Sequence, residues 1–116
     1  MKIYHLTTCN TCQRIIKELQ PPGNTEYQDI KKQPLTVKQL DEMQRLSGSY
    51  ESLFSRRAKL YKERGLANES LTEADYKSLI LEHYTFLKRP VVLLDDQIFV
   101  GNSKKTVEAA KIALHP

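Results

Sequence analysis

Cys9 and Cys12 are the only two cysteines of the chain, and Asn10-Thr11 separates them. A thiol acts as a nucleophile only in its thiolate form. A pair at this spacing can pass two electrons by opening and closing one disulfide. The position of the pair suits that chemistry. Residues 1–6 read as a strand, and Ile15, Ile16 and Leu19 then recur at helical spacing. A Cys-x-x-Cys at a strand-to-helix junction presents its first thiol at the helix mouth. There, unpaired backbone N–H groups and the positive dipole end favour thiolate over thiol. Cys9 is therefore the expected nucleophile and Cys12, one turn on, the expected resolving thiol.

Two other readings of the pair stay open: a pair of buried structural thiols, or half of a metal site. The metal reading needs two more ligands, and His5, His83 and His115 are scattered along the chain. No metal is expected. Thr7, Thr8 and Thr11 add hydroxyls that could hydrogen-bond the thiolate, with Asn10 beside them. No apolar run approaches the roughly 18 residues needed to span a bilayer. The first residues also lack the layout of a signal peptide. A cytoplasmic location is the expectation, and in that reducing compartment redox chemistry is favoured over a structural staple.

The length of 116 residues suits one domain with its own core. The net charge of +4 is modest, and basic pairs are spread through the sequence at Lys31-Lys32, Arg56-Arg57, Lys88-Arg89 and Lys104-Lys105. Their plain reading is solvated surface; their functional reading is a positive zone near the thiol or a docking face for an acidic partner. Direct nucleic-acid binding is not expected, because no basic arm or aromatic platform is present.

The elements that must position the thiols follow in order. Pro21-Pro22-Gly23 stops the first helix. Residues 25–30 read as a second strand, parallel to the first because a helix lies between them. Thr36 with Gln39, and Thr72 with Asp75, mark two further helix starts as capping boxes, with Leu35 and Leu71 as staples to Leu40 and Tyr76. Val37, Leu40, Met43 and Leu46 share one face of the first; Tyr76, Leu79, Ile80 and His83 continue the second. Residues 50–65 predict one or two short helices ending at Gly65. Val91-Val92-Leu93-Leu94 and Gln97-Ile98-Phe99-Val100 form a hairpin about Asp95-Asp96. Ser103 caps a last helix carrying Val107, Ala110, Ile112, Ala113 and Leu114. The fold class is α/β: a thioredoxin-like βαβ-ββα core, residues 1–34 and 86–116, with a helical insert, residues 35–85, between strands 2 and 3.

Arg89-Pro90 precedes the third strand. In thioredoxin-like folds a proline here is usually cis and packs against the reactive thiol, leaving the neighbouring edge open because it has no N–H to donate. The other reading is a proline that merely starts a strand. Arg89 would bring a permanent cation to the pocket, supporting a thiolate and an anionic substrate. Ser55-Arg56-Arg57 offers guanidinium groups suited to oxyanions, although position alone makes them surface arginines.

Together these stretches resemble the arsenate reductase family of the ArsC type, which includes the Spx regulators. The resemblance rests on residues 4–12, on residues 55–61 with Gly65-Leu66, and on Arg89-Pro90-Val91-Val92 running to Val100-Gly101-Asn102. It implies a nucleophile at Cys9 and an oxyanion site using Arg89. Glutathione with glutaredoxin would be the electron donor, with thioredoxin as the alternative, and no bound cofactor is implied. Ser55 stands where the reductases carry a second arginine, with Arg56 and Arg57 just beyond, and Asn102 where they carry the third. These departures argue against arsenate itself and leave a small oxyanion or a thiol compound as substrate class. The Spx branch also has a Cys-x-x-Cys disulfide switch and an arginine corresponding to Arg57. That branch implies docking on the RNA polymerase α subunit, although the docking glycine falls at Ser49, beside Gly48. The expected site is thus Cys9, Cys12, Arg57 and Arg89, lined by Thr8, Asn10, Thr11 and Pro90.

Overall fold

Ile3 and Val92 lie opposite one another in neighbouring strands, and the apolar face they share organises everything around the thiols. The structure, a computed structural model, describes residues 1–116 and divides into two compact units. The first comprises Met1–Gln33 and Arg89–Pro116, the second Pro34–Lys88.

The first unit holds strands β1 (Lys2–His5), β2 (Glu26–Asp29), β3 (Val91–Leu94) and β4 (Gln97–Val100), and helices α1 (Asn10–Leu19) and, last in the chain, α5 (Lys104–Leu114). The sheet order is β2-β1-β3-β4. β1 runs parallel to β2, as a helical crossover requires, and antiparallel to β3, which forms the hairpin with β4. In the hairpin turn Asp95 takes the left-handed conformation at φ 54°. Ile15 and Leu19 of α1 and Val107 and Ala110 of α5 pack with Ile3 and Val92 as one buried cluster. The apolar residues of α1 fall three and four positions apart, so one face of the helix meets the sheet. Ile112 is 60% exposed. At helical spacing it points away from the face that carries Val107 and Ala110, so it lies outside the core.

The second unit contains α2 (Val37–Ser47), α3 (Lys59–Glu63) and α4 (Glu73–Glu82), joined by single 3-10 turns at Glu51–Leu53, Leu66–Asn68 and Tyr84–Phe86. Both capping boxes form in full. Leu40 and Met43 of α2 are buried, but Val37, in the helix's first turn, is 52% exposed. Phe54 is the hub of the aromatic packing, stacked on Phe86 at 5.3 Å and tilted against Tyr76 at 4.9 Å. Helical structure continues beyond Gly65 into a 3-10 turn, and α4 ends at Glu82, with His83 extended as its C-cap. The unit also runs three residues past the expected limit of the insert. The backbone bridge between Phe54 and Leu87, and the Lys88 N–H donating to the Leu53 carbonyl, hold residues 86–88 to it.

Candidate functional site

The reactive region is built where β1 leaves the sheet. After His5 the chain must turn from strand to helix, and Leu6 supplies the turn: its carbonyl accepts the Cys9 N–H at 3.1 Å. Cys9 is then the N-cap of α1, with extended backbone (φ −90°, ψ 109°), and the Cys9 carbonyl accepts the Gln13 N–H. Its sulfur occupies the place that a serine or threonine oxygen takes at an ordinary helix start. The Cys12 N–H donates to Cys9 Sγ at 3.4 Å. α1 has no acidic residue in its first turn, so no carboxylate competes for the positive end of the helix.

The two thiols differ sharply. Both are free; Cys9 is half-buried and Cys12 is fully buried. Burial opposes ionisation of Cys9, but the Cys12 N–H, the Cys12 side chain, the Arg89 guanidinium and the Thr11 N–H together outweigh it and lower its pKa. For Cys12 the balance is reversed. Burial, reinforced by the hydrogen bond and the negative charge of Cys9, pushes its thiol up to about 11, against smaller lowering effects from the Leu6 backbone and Arg89. Cys9 is thus the more accessible and more readily ionised sulfur, and Cys12 the buried one that holds its proton.

The Arg89 guanidinium acts on both thiols, and Pro90 follows it in the chain. The Arg89-Pro90 peptide is cis, Pro90 is buried, and its carbonyl accepts the Gly101 N–H at 2.9 Å. Gly101 has φ 90°, a backbone conformation that glycine adopts freely and other residues rarely do. Cys9, Cys12, Arg89 and Pro90 are thus gathered in one unit. Thr8 and Asn10 are exposed residues at the loop tip and the first helical position.

Thr11 contributes through its backbone N–H rather than its hydroxyl. The Thr7 hydroxyl is likewise directed elsewhere: it donates to the Asp29 carboxylate, whose Oδ2 also accepts the Thr7 N–H at 2.9 Å. From the sequence these hydroxyls are possible donors to the thiolate, with polar loop-filling as the other reading. Backbone amides take that role because the helix start already aims them at the sulfur. Two residues that take part went unnoticed in the sequence, Asp29 and Gln13. Gln13 donates its side-chain amide to the Leu6 and Thr7 carbonyls, both at 3.2 Å. A polar residue four positions after Cys9, one turn up the same helix face, was the signal for Gln13.

Arg57 lies in the other unit, exposed, in the turn before α3. Its neighbour Arg56 is committed within that unit: it pairs with Glu51 at 2.7 Å, donates to the Tyr76 hydroxyl at 3.0 Å and lies over the Tyr76 ring. No three His, Cys, Asp or Glu side chains come together as a metal site.

A family model described as the ArsC family matches residues 4–110. Among solved structures, an arsenate reductase from Vibrio cholerae superposes with a TM-score of 0.77 at 21% identity, covering 95% of this chain and 98% of that one. An arsenate reductase (ArsC) related protein from Brucella melitensis gives 0.69 at 25% identity, over 93% and 91% of the two chains. The protein SACOL0876 from Staphylococcus aureus gives 0.75 at 24%, over 93% and 95%. No curated protein matches in sequence. With a thioredoxin-like sheet, a cysteine-capped first helix and a family match running nearly end to end, the chain belongs to the ArsC family, at that level a thiol-dependent oxidoreductase.

Proposed function

We propose that the protein reduces a thiol-reactive substrate, a disulfide or a small oxyanion, with Cys9 as nucleophile and Cys12 as resolving thiol. The observation that carries this reading is the asymmetry of the pair: Cys9 is half-exposed with lowered pKa, while Cys12 is buried and raised to about 11.

With a disulfide substrate, the Cys9 thiolate attacks one sulfur, forms a mixed disulfide and expels the other sulfur as thiolate. Cys12 then attacks Cys9, closing the Cys9–Cys12 disulfide and releasing the second thiolate, while the Cys12 proton passes to a leaving sulfur. The substrate gains two electrons and the pair loses two. A dithiol donor such as thioredoxin, or glutathione with glutaredoxin, returns them. The first step prepares the second. Two of the influences that raise Cys12 are the hydrogen bond and negative charge of Cys9, and both end when Cys9 becomes a neutral disulfide sulfur. Cys12 is thus easier to deprotonate when it is needed.

Arg89 supports the thiolate and offers one cation to an anionic substrate. Ser55 and Asn102 cannot supply the others, so arsenate is a poor candidate, and disulfide compounds are favoured. The test is turnover of disulfides and of arsenate, each with glutathione–glutaredoxin and with thioredoxin, by wild type and Cys9→Ser. Cys9-dependent turnover of a disulfide supports the reading; none with any pairing sinks it. Should turnover be absent while the intramolecular disulfide still forms, the same two thiols favour a redox-sensing binding protein. Retention of the RNA polymerase α subunit in only one redox state would test that alternative.

A further inference from the structure

The loop that carries Cys9 to its place is short, exposed at Thr7 and Thr8, and tied at both ends of one residue. On one side of Thr7, its N–H and its hydroxyl both donate to Asp29 Oδ2. On the other side, its carbonyl accepts the Gln13 side-chain amide, which also holds the Leu6 carbonyl. Only Thr8 separates this clamped residue from Cys9.

Asp29 is itself firmly placed. It is the last residue of β2, in register with His5 at the end of β1, and the Ile30 N–H extends the ladder by donating to the His5 carbonyl at 3.0 Å. Its second oxygen accepts the Lys31 N–H at 2.9 Å and the Lys32 N–H at 3.3 Å. Four N–H or O–H groups thus converge on one carboxylate, and the Thr7 hydroxyl foremost among them holds the Asp29 carboxyl well below the usual carboxylate range. A carboxylate engaged by that many donors is a rigid anchor rather than a solvated surface charge.

We propose that Asp29 is a positioning residue for the reactive thiol: with Gln13 it fixes residues 6–9 so that Cys9 Sγ meets the Cys12 N–H. The inference rests on Cys9 being the nucleophile. A positioning role differs from a purely electrostatic one in the sign of its effect on Cys9. Removing a negative charge near a thiol, with nothing else changed, favours the thiolate and lowers the Cys9 pKa. Removing an anchor lets Cys9 swing off the helix mouth, takes the Cys12 N–H from the sulfur and raises the Cys9 pKa.

The test is the pH dependence of Cys9 alkylation, located by mass spectrometry, in wild type, Asp29→Ala, Thr7→Val and Thr7→Ser. Asp29→Ala is expected to raise the Cys9 pKa by about one unit, cutting alkylation near neutral pH by up to about tenfold. Thr7→Val, which removes only the hydroxyl, should shift it the same way by less, and Thr7→Ser should restore it. A depressed wild-type pKa that stays put or falls in a folded Asp29→Ala protein overturns this inference alone. An ordinary free-thiol titration in wild type overturns it together with the functional reading. If Asp29→Ala does not fold, the Thr7→Val and Thr7→Ser pair decides: equal pKa values in the two overturn the inference.

Discussion

The start of α1 and the starts of α2 and α4 use one geometry with different atoms, and the difference locates the chemistry. At α2 and α4 a threonine oxygen accepts the N–H three residues on, and Gln39 or Asp75 returns the bond to the threonine N–H. Both directions are closed, and α4 adds Glu73 and Asp75 to its first turn. At α1 the cap atom is sulfur, 3.4 Å from its donor, and the residue three positions on is a second cysteine, so the Cys9 N–H turns back to Leu6 instead. Oxygen caps are built for stability. A sulfur cap makes a weaker bond, but it places an ionisable atom among oriented N–H groups with no carboxylate of the first turn beside it.

The largest effect that would break or sharpen this contrast is on activity. Cys9→Ser should cut thiol-dependent turnover by at least about a thousandfold, since an alcohol at this site remains protonated. Steady-state rates with a disulfide substrate check it, and substantial residual rate would place the nucleophile elsewhere.

Next comes a pH effect on stability from Cys12. Its folded pKa, about 11, lies above the unfolded value of roughly 8.5, so the stability it contributes is fully present below about pH 8.5 and is lost as pH rises through about 11. Cys9, with lowered pKa, acts in the opposite sense: its contribution is present above the unfolded value and is lost as pH falls. Denaturant unfolding of wild type and Cys12→Ser between pH 8 and 11 should show wild type losing about 2–3 kcal/mol more than the variant. Parallel curves would contradict the raised Cys12 pKa.

The oxygen caps should behave differently from the sulfur one. Thr36→Ala and Thr72→Ala are each expected to cost about 1 kcal/mol of stability while leaving the Cys9 titration where it is. Chemical denaturation paired with alkylation of Cys9 checks both halves. The smallest effect has the opposite sign. Serine is a better N-cap than a protonated thiol, so at about pH 5, where the contribution of the Cys9 thiolate is lost, Cys9→Ser should raise stability by a few tenths of a kcal/mol while abolishing turnover. A clear loss of stability would mean that the sulfur is held by more than its cap bond.

Much of this was legible in the sequence, because the signals were local. The capping boxes at Thr36 and Thr72, the hairpin about Asp95-Asp96 and the Cys9-x-x-Cys12 start of α1 all appear within a few residues of one another, and the structure forms each of them. What escaped depends on partners distant in sequence or on the unpatterned side of a helix. Asp29 lies 22 residues from Thr7, and only the parallel register of β1 and β2 brings them together. Ile112 and Val37 are apolar by type but lie off the packed faces, and residue type alone does not report that. The three threonines near the thiols were read by proximity, whereas the helix start gives the sulfur backbone donors. Arg57 entered the expected site through resemblance alone, and its neighbour Arg56 is engaged by Glu51 and Tyr76.

The central claim is that the start of α1 holds Cys9 as a ready thiolate while Cys12 waits as a buried thiol. The rate of Cys9 alkylation across pH in the reduced wild-type protein tests it most directly, with Cys12 labelling followed in the same samples. The account requires Cys9 to react with a pKa below the roughly 8.5 of a free thiol and Cys12 to stay unlabelled until well above it. Equal reactivity of the two cysteines, or a Cys9 that titrates like a free thiol, would contradict it.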